Sequence, residues 1–378
     1  MAISSTIMIK AKYRYTLYIG LSTAMAFPVN VSALTFQQSL SLPVSVEHES
    51  NPRLSPNNEV SVRRFTLNPR YSLMATQGND QFSVDLAINA ERSSNQAVSA
   101  DREDPNISLG WTRGYETGQF GITANFSEQS TRTSEFDETG LVTNNNTRQT
   151  HSVGADWRKE LSERYSLTVG LNATKVEFDG QTASLNDYDN KSINTQLAYS
   201  INDQIESFVG VSFSRFEPTS SDVSNFRSLE VGGTWEMSEQ LSINGSVGIN
   251  KTSGASNESG SQAMFGTKYT TARTQSNVSL SRSRSPSSSG IINESNRLSA
   301  GWSYSLSEIE NLAVDFNWQE NLTADLNKTR RVSANYTRAI SPSWDFRLMA
   351  QHRNRDDATS DASSNSLTAT LIYNLPDF

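Results

Sequence analysis

Phe82-Ser83-Val84-Asp85-Leu86-Ala87-Ile88-Asn89-Ala90 places an apolar side chain at every second position, with mostly polar ones between. Side chains of a strand point alternately to its two faces, so this segment has one greasy and one wet face. The same alternation recurs upstream, where Phe65, Leu67, Pro69, Tyr71 and Leu73 oppose Thr66, Asn68, Arg70 and Ser72. It returns downstream, where Leu229, Val231, Gly233, Trp235 and Met237 oppose Ser228, Glu230, Gly232, Thr234 and Glu236.

Runs of this kind begin near Leu40, Phe65, Phe82, Ile107, Phe120, His151, Tyr165, Ile193, Ser207, Leu229, Leu241, Ala263, Thr274, Leu298, Leu312, Val332, Trp344 and Leu367, weakest near Ala263 and Thr274. Strand length and turn residues delimit about 18 of them. Their connections alternate. Short links (Gln77–Asp80, Glu116–Gln119, Leu161–Arg164, Asn202–Gln204, Ser238–Gln240, Thr270–Arg273, Ser307–Glu310, Ser341–Ser343) take turns with long polar stretches such as Ser127–Thr147, Glu177–Asn190, Lys251–Ser261 and Arg284–Ser295. Outer-membrane barrels pair short periplasmic turns with longer external loops in this way. The sequence therefore predicts an all-β fold, an antiparallel transmembrane β-barrel of about 16–18 strands with both ends periplasmic.

Aromatic placement agrees. Trp111, Trp157, Trp235, Trp302 and Trp344 share the greasy parity within a few residues of a short link, and only Trp318 lies at the opposite end. Tyr71, Tyr165, Tyr199, Tyr304, Tyr336 and Tyr373 also gather beside short links. Amphipathic rings settle at the membrane–water interface, so these residues read as an aromatic girdle.

Composition fits a barrel better than a globular core. The 378 residues are 35% hydrophobic, with 6 Trp, 12 Tyr, 16 Phe and no Cys, and the mean hydropathy is -0.53. A barrel with a polar lumen requires only every second strand residue to be apolar. The absence of Cys excludes a disulfide framework and thiolate metal sites. Lys10, Lys12 and Arg14, the uncharged stretch Tyr15–Phe27, Pro28 and the small residues Val31-Ser32-Ala33 read as a secretory signal over 1–33, leaving 34–378 as the barrel. Met8 is an alternative start. A membrane anchor is disfavoured, because the apolar run is short and no charge cluster follows it. Removing those three basic residues from a net charge of -8 gives -11, which argues against nucleic acid as a partner. The remaining chain has no apolar run long enough for a transmembrane helix, so it can cross a membrane only as a closed barrel. Leu367, Ala369, Leu371, Tyr373 and Leu375 form a last amphipathic run, and Phe378 ends the sequence. This is the pattern of an assembly signal, implying the barrel-assembly machinery and outer-membrane lipid as partners; Pro376 and a one-residue phase shift put Phe378 off the greasy parity.

Val46-Glu47-His48-Glu49-Ser50-Asn51-Pro52-Arg53-Leu54-Ser55, followed by Phe65–Leu73 with its Asn68-Pro69, resembles outer-membrane barrels associated with exopolysaccharide and PEP-CTERM surface-sorting gene clusters. The resemblance implies a pore for exporting polysaccharide or another polar polymer, working with periplasmic polysaccharide-export proteins. His48-x-Ser50-Asn51 is also similar to a segment of outer-membrane phospholipase A. A serine nucleophile needs a base within reach and a group to orient that base. Here Pro52 stands where that family has a glycine, and the segment ends a strand, so a satisfied turn is the simpler reading. His151 and His352 are isolated and lack the spacing of metal ligands.

The remaining candidates are wet-parity charges expected to line the lumen: Arg70, Asp85, Asp156, Arg158, Glu230, Glu236, Arg297, Asp315, Arg331, Asp345 and Arg347. On the lipid face an Arg or Lys near the midplane costs roughly 2–4 kcal/mol. They pair across strands or meet a passing solute. No nucleotide motif, metal cluster or catalytic constellation is evident, so neither a cofactor nor enzyme activity is expected. Besides polymer export, the sequence admits a general diffusion porin for small polar solutes, a lipid hydrolase, or a plugged structural or adhesive barrel.

Overall fold

The computed structural model describes residues 34–138, 146–180, 185–255, 257–323, 327–357 and 360–375. The signal segment and Phe378 lie outside them. In chain order the strands are β1 (Leu34–Glu49), β2 (Val62–Leu67), β3 (Arg70–Gln77), β4 (Asp80–Ser93), β5 (Arg102–Tyr115) and β6 (Gly118–Ser130). A helix, α1 (Thr131–Glu138), precedes β7 (Thr147–Glu160), β8 (Tyr165–Asp179), β9 (Tyr188–Asn202), β10 (Ile205–Pro218), β11 (Ser224–Glu236) and β12 (Leu241–Gly254). The series ends with β13 (Glu258–Thr270), β14 (Thr274–Pro286), β15 (Ile292–Ser305), β16 (Glu310–Asn321), β17 (Asn327–Ser341), β18 (Trp344–Asp357) and β19 (Asp361–Leu375).

All strands pair antiparallel with their neighbours, and β1 pairs with β19 from Leu40↔Leu375 to Glu49↔Ser366, which closes the sheet. Closure satisfies each strand's backbone donors and acceptors without a free edge, the condition for crossing hydrocarbon. β2 and β3 are two halves of one strand. Both pair with β1 on one side and β4 on the other, so the barrel has 18 strands. The interruption falls at Asn68-Pro69, where proline has no N–H to donate to the ladder. Around it the Asn68 amide donates to the Pro43 carbonyl at 3.0 Å and the Ile88 amide to the Pro69 carbonyl at 3.2 Å.

Little of the apolar surface is buried inside the protein. Ile249 is 66% exposed and Val247 61%, and Val153, Phe213, Leu229 and Leu367 share the same outward face. Such a surface is stable only where hydrocarbon covers it. At the short-turn end the aromatic side chains meet in pairs across strands: Tyr165 with Tyr199 at 4.8 Å between ring centroids, and Trp344 with Tyr373 at 5.0 Å. Trp111 packs on Phe82 and Phe120 and donates from its indole nitrogen to Asp80 at 3.1 Å. One of the short turns there, between Gln77 and Asp80, uses Gly78 at φ 59°, a backbone conformation glycine adopts without cost.

The opposite end departs from the sequence expectation. The stretch Lys251–Ser261 is not a long loop: β12 and β13 run through it, paired as far as Thr252↔Glu258. β8 continues to Asp179, β14 to Pro286, and β15 begins at Ile292. Strands continue beyond their apolar alternation because polar residues pair their backbones equally well once outside hydrocarbon. The two weakest runs, near Ala263 and Thr274, are both regular strands.

Candidate functional site

The helix that follows β6 turns into the barrel. The segment Thr131–Glu138 is too short for helix propensity to stabilise it, so its conformation depends on docking. Thr131 and Glu135 are fully buried, and Arg132, Ser134 and Phe136 nearly so. Arg132 and Phe136, four residues apart, share one helix face. The Phe136 ring packs with Leu54 and Ala362, and the guanidinium groups of Arg331 (β17) and Arg353 (β18) each lie 5.3 Å from its centre. The side-chain amide of Gln319 (β16) donates to the Glu138 carbonyl at 2.9 Å. A helix that begins at the end of β6 is therefore fastened to β16–β19, across the lumen.

Polar contacts hold both sides of this bridge. Arg148 (β7) pairs with Glu138, and with Glu135 at 3.5 Å. The Ser288 hydroxyl donates to Glu135 from the link between β14 and β15. That link reaches further: the Asn186 amide donates to the Ser288 carbonyl at 2.8 Å, and the Ser221 hydroxyl donates to the Gly290 carbonyl at 2.8 Å. Beneath it Val176, Tyr188 and Phe216 form a small apolar cluster with Phe178 and Ile292. Three links and α1 thus converge on one side of the mouth. Burial holds the Glu135 carboxyl above the ordinary carboxylate range, although the bond from Ser288 acts against the shift. Burial, and then the nearby Arg64, push the Arg132 guanidinium down to about 10, which leaves it charged at neutral pH.

On the wall beside α1, Glu49 (β1) is buried between Arg64 (β2) and Arg353, and accepts a 3.0 Å bond from Ser364. Arg64 also reaches Glu47 at 3.1 Å and Glu91 at 3.9 Å, and Arg132 approaches Glu91 at 3.8 Å. Buried charges of this kind persist only when paired and hydrogen-bonded.

Polar cavities flank α1. One, of about 610 Å³, lies against β3–β6 and is lined by charges of both signs: Arg70, Asp85, Glu91, Arg102, Asp104, Glu128 and Arg132. The other, of about 340 Å³, lies against β14–β17 and is lined, among the described residues, by Phe136, Ser281, Arg297, Asn317, Gln319, Thr329 and Arg331.

Of the charges singled out in the sequence, Arg70 and Asp85 thus line the larger cavity and Arg297 and Arg331 the smaller. Asp85 accepts a 2.6 Å bond from Ser72, Glu230 a 3.2 Å bond from Gln262, Asp315 a 3.5 Å bond from Ser333, and Asp345 a 2.8 Å bond from Asn374. Asp156, Arg158, Glu236 and Arg347 keep the wet parity on their strands, away from both cavities. Sequence reasoning missed α1, Glu49, Arg64 and Arg353. Glu49 and Arg64 have wet parity, but nothing local distinguishes them from other rim charges. The histidine–serine segment forms no nucleophile–base pair among the described residues: the Ser50 hydroxyl accepts from the Asn365 amide at 2.9 Å at the end of β1. The His151 ring lies tilted against Phe126, 4.8 Å between centroids, and His352 bonds Asn365 at 2.8 Å. No cluster of potential metal ligands occurs among the described residues.

No protein-family model matches the chain, and no curated protein matches it in sequence. Solved structures do match in fold. OccAB4 of Acinetobacter baumannii superposes with a TM-score of 0.51 at 10% identity, over 92% of this chain and 99% of its own. OpdK of Pseudomonas aeruginosa, solved with vanillate, gives 0.50 at 9% identity over 90% and 98%. OccK5 (OpdH) of the same organism gives 0.50 at 10% identity over 91% and 98%. The fold is that of an outer-membrane β-barrel. At these identities the likeness is one of architecture, and the outer-membrane barrel's function has to be argued from its own lumen.

Proposed function

We propose that this chain is a passive channel of the bacterial outer membrane, with the start of β1 and the end of β19 on the periplasmic side, that admits small polar solutes. One observation carries the reading: α1 is fixed across the lumen, yet polar cavities persist on both sides of it. Hydroxyls, amides and charges on such walls replace part of a solute's hydration shell, and conduction needs no further energy source. The smaller cavity is lined by Arg297 and Arg331, whereas the larger one presents both signs.

The polymer-export expectation gains nothing from the comparisons, which do not connect the chain to exopolysaccharide or surface-sorting clusters. Passages of a few hundred cubic ångströms beside a fixed helix also suit small solutes better than a polymer.

Refolded protein in planar bilayers is expected to give steady single-channel conductance. Phe136→Ala, which loosens α1, raises the conductance, and neutralising Arg297 and Arg331 together shifts the reversal potential toward cations. Electrically silent barrels that stay silent after Phe136→Ala would overturn the channel reading in favour of a plugged scaffold.

A further inference from the structure

The outer face of β9–β12 carries an arrangement that neither folding nor a channel requires. Lys191 (β9) stands directly opposite Arg215 (β10), and Arg227 (β11) directly opposite Lys251 (β12). Arg227 is paired with Phe213, one outward position below Arg215, so the four cations form a row on four consecutive strands. Like charges directly across a sheet repel and destabilise the pair. All four side chains are exposed. Glu217 offsets part of the charge, lying 2.5 Å from Arg215 and 3.8 Å from Lys191. Arg227 and Lys251 have no carboxylate partner among the described residues. Elsewhere on the same rim, Arg92 pairs with Glu103, Arg282 with Glu294, and Lys328 with Glu320 at 3.2 Å.

Directly below the row the wall turns apolar. A cavity of about 460 Å³ is roofed by Lys191, Arg215 and Arg227 and floored by Leu171, Ile193 and Phe213. Depth fits as well. From Ile205, at the short-turn end of β10, to Arg215 is ten residues, which at about 3.4 Å each and a tilt near 40° spans roughly 25 Å, the height of a barrel's apolar band. The cations therefore sit where the headgroups of the loop-side leaflet lie, and the trough below them sits among acyl chains.

We infer that this face is a binding site for a phosphorylated membrane lipid, its phosphate held by Arg215, Arg227 and Lys251 and an acyl chain laid in the Leu171–Ile193–Phe213 trough. A lipid phosphate relieves the repulsion between Arg227 and Lys251, and clustered Lys and Arg near a bilayer surface attract anionic lipid. The site is independent of what passes through the lumen.

Native mass spectrometry of the full barrel in detergent, with phosphatidylglycerol and phosphatidylcholine as probes, tests the assignment. The wild type is expected to retain phosphatidylglycerol preferentially. The double variant Arg227→Gln, Lys251→Gln should weaken that retention about thirtyfold, with single-channel conductance unchanged. Lys328→Gln, on the opposite wall, should leave retention as it is. Equal retention of the two lipids, or retention unaffected by the double variant, overturns the site. Release of the lipid by a matched concentration of inorganic phosphate overturns the lipid assignment in favour of a free anion. Should the double variant fail to fold, the wild type still decides: added salt must reduce phosphatidylglycerol retention, and indifference to salt counts against the site.

Discussion

The two ends of this barrel are built by different means. At the short-turn end, contacts are between neighbours: adjacent strands are joined by brief links, and aromatic pairs such as Trp344 with Tyr373 span one strand pairing. At the loop end, the contacts that matter join residues far apart in the chain. Ser288 meets Glu135 across 153 positions, Arg353 meets Glu49 across 304, and Gln319 meets Glu138 across 181. The first end is held in an interface that sorts amphipathic rings. The second stands clear of hydrocarbon and must satisfy its own buried charges. Local patterning therefore suffices for a girdle, whereas a constriction needs distant partners.

That contrast can be broken most severely at Glu49. Glu49→Ala leaves Arg64 and Arg353 buried without their shared carboxylate, a class of change that costs about 3–5 kcal/mol. A lower denaturant midpoint for refolding into vesicles, together with a noisier channel, is the expected result; a midpoint unchanged from wild type would mean the cluster is hydrated and the loop end is no more demanding than the girdle.

A smaller effect is expected at Glu135. Its carboxyl is held above the ordinary range by burial, so the ionised form penalises the docked helix, and the penalty disappears as pH falls through the raised value. Protection of the α1 amides in hydrogen exchange, corrected for intrinsic rates, should therefore rise as the pH is lowered from neutrality toward the ordinary carboxylate range. Glu135→Gln should remove the pH dependence and fix protection at its acidic level. A helix whose protection fell on acidification would overturn the assignment to Glu135.

The smallest effect belongs to the girdle. Trp344→Ala removes one partner of a cross-strand aromatic pair, worth roughly 1 kcal/mol. Refolding stability should decline by at least that much with conductance unaltered. A change in conductance would show that the two ends are coupled.

Much of the architecture was legible in the chain because hydrocarbon imposes a rule on every second residue: the runs around Phe82–Ala90 and Leu229–Met237 are strands at their expected parity. The rule lapses where hydrocarbon ends. Lys251–Ser261, polar throughout, read as a loop and is mostly strand, since backbone pairing leaves no mark on side-chain polarity there. The candidate site was legible in part. Wet parity marks Arg70, Asp85, Arg297 and Arg331 as inward, but parity says nothing about height or distance across the lumen, so it could not show that they flank a helix on opposite sides.

By itself, then, the sequence determined the barrel: an alternating pattern can satisfy lipid and water at once only as a closed sheet. Tertiary structure alone decided that Thr131–Glu138 becomes a helix and crosses the lumen, because eight residues of weak propensity take their shape from the guanidinium, hydroxyl and amide groups that receive them. Those groups come from β7, the β14–β15 link and β16–β18, and only closure of the barrel brings them together.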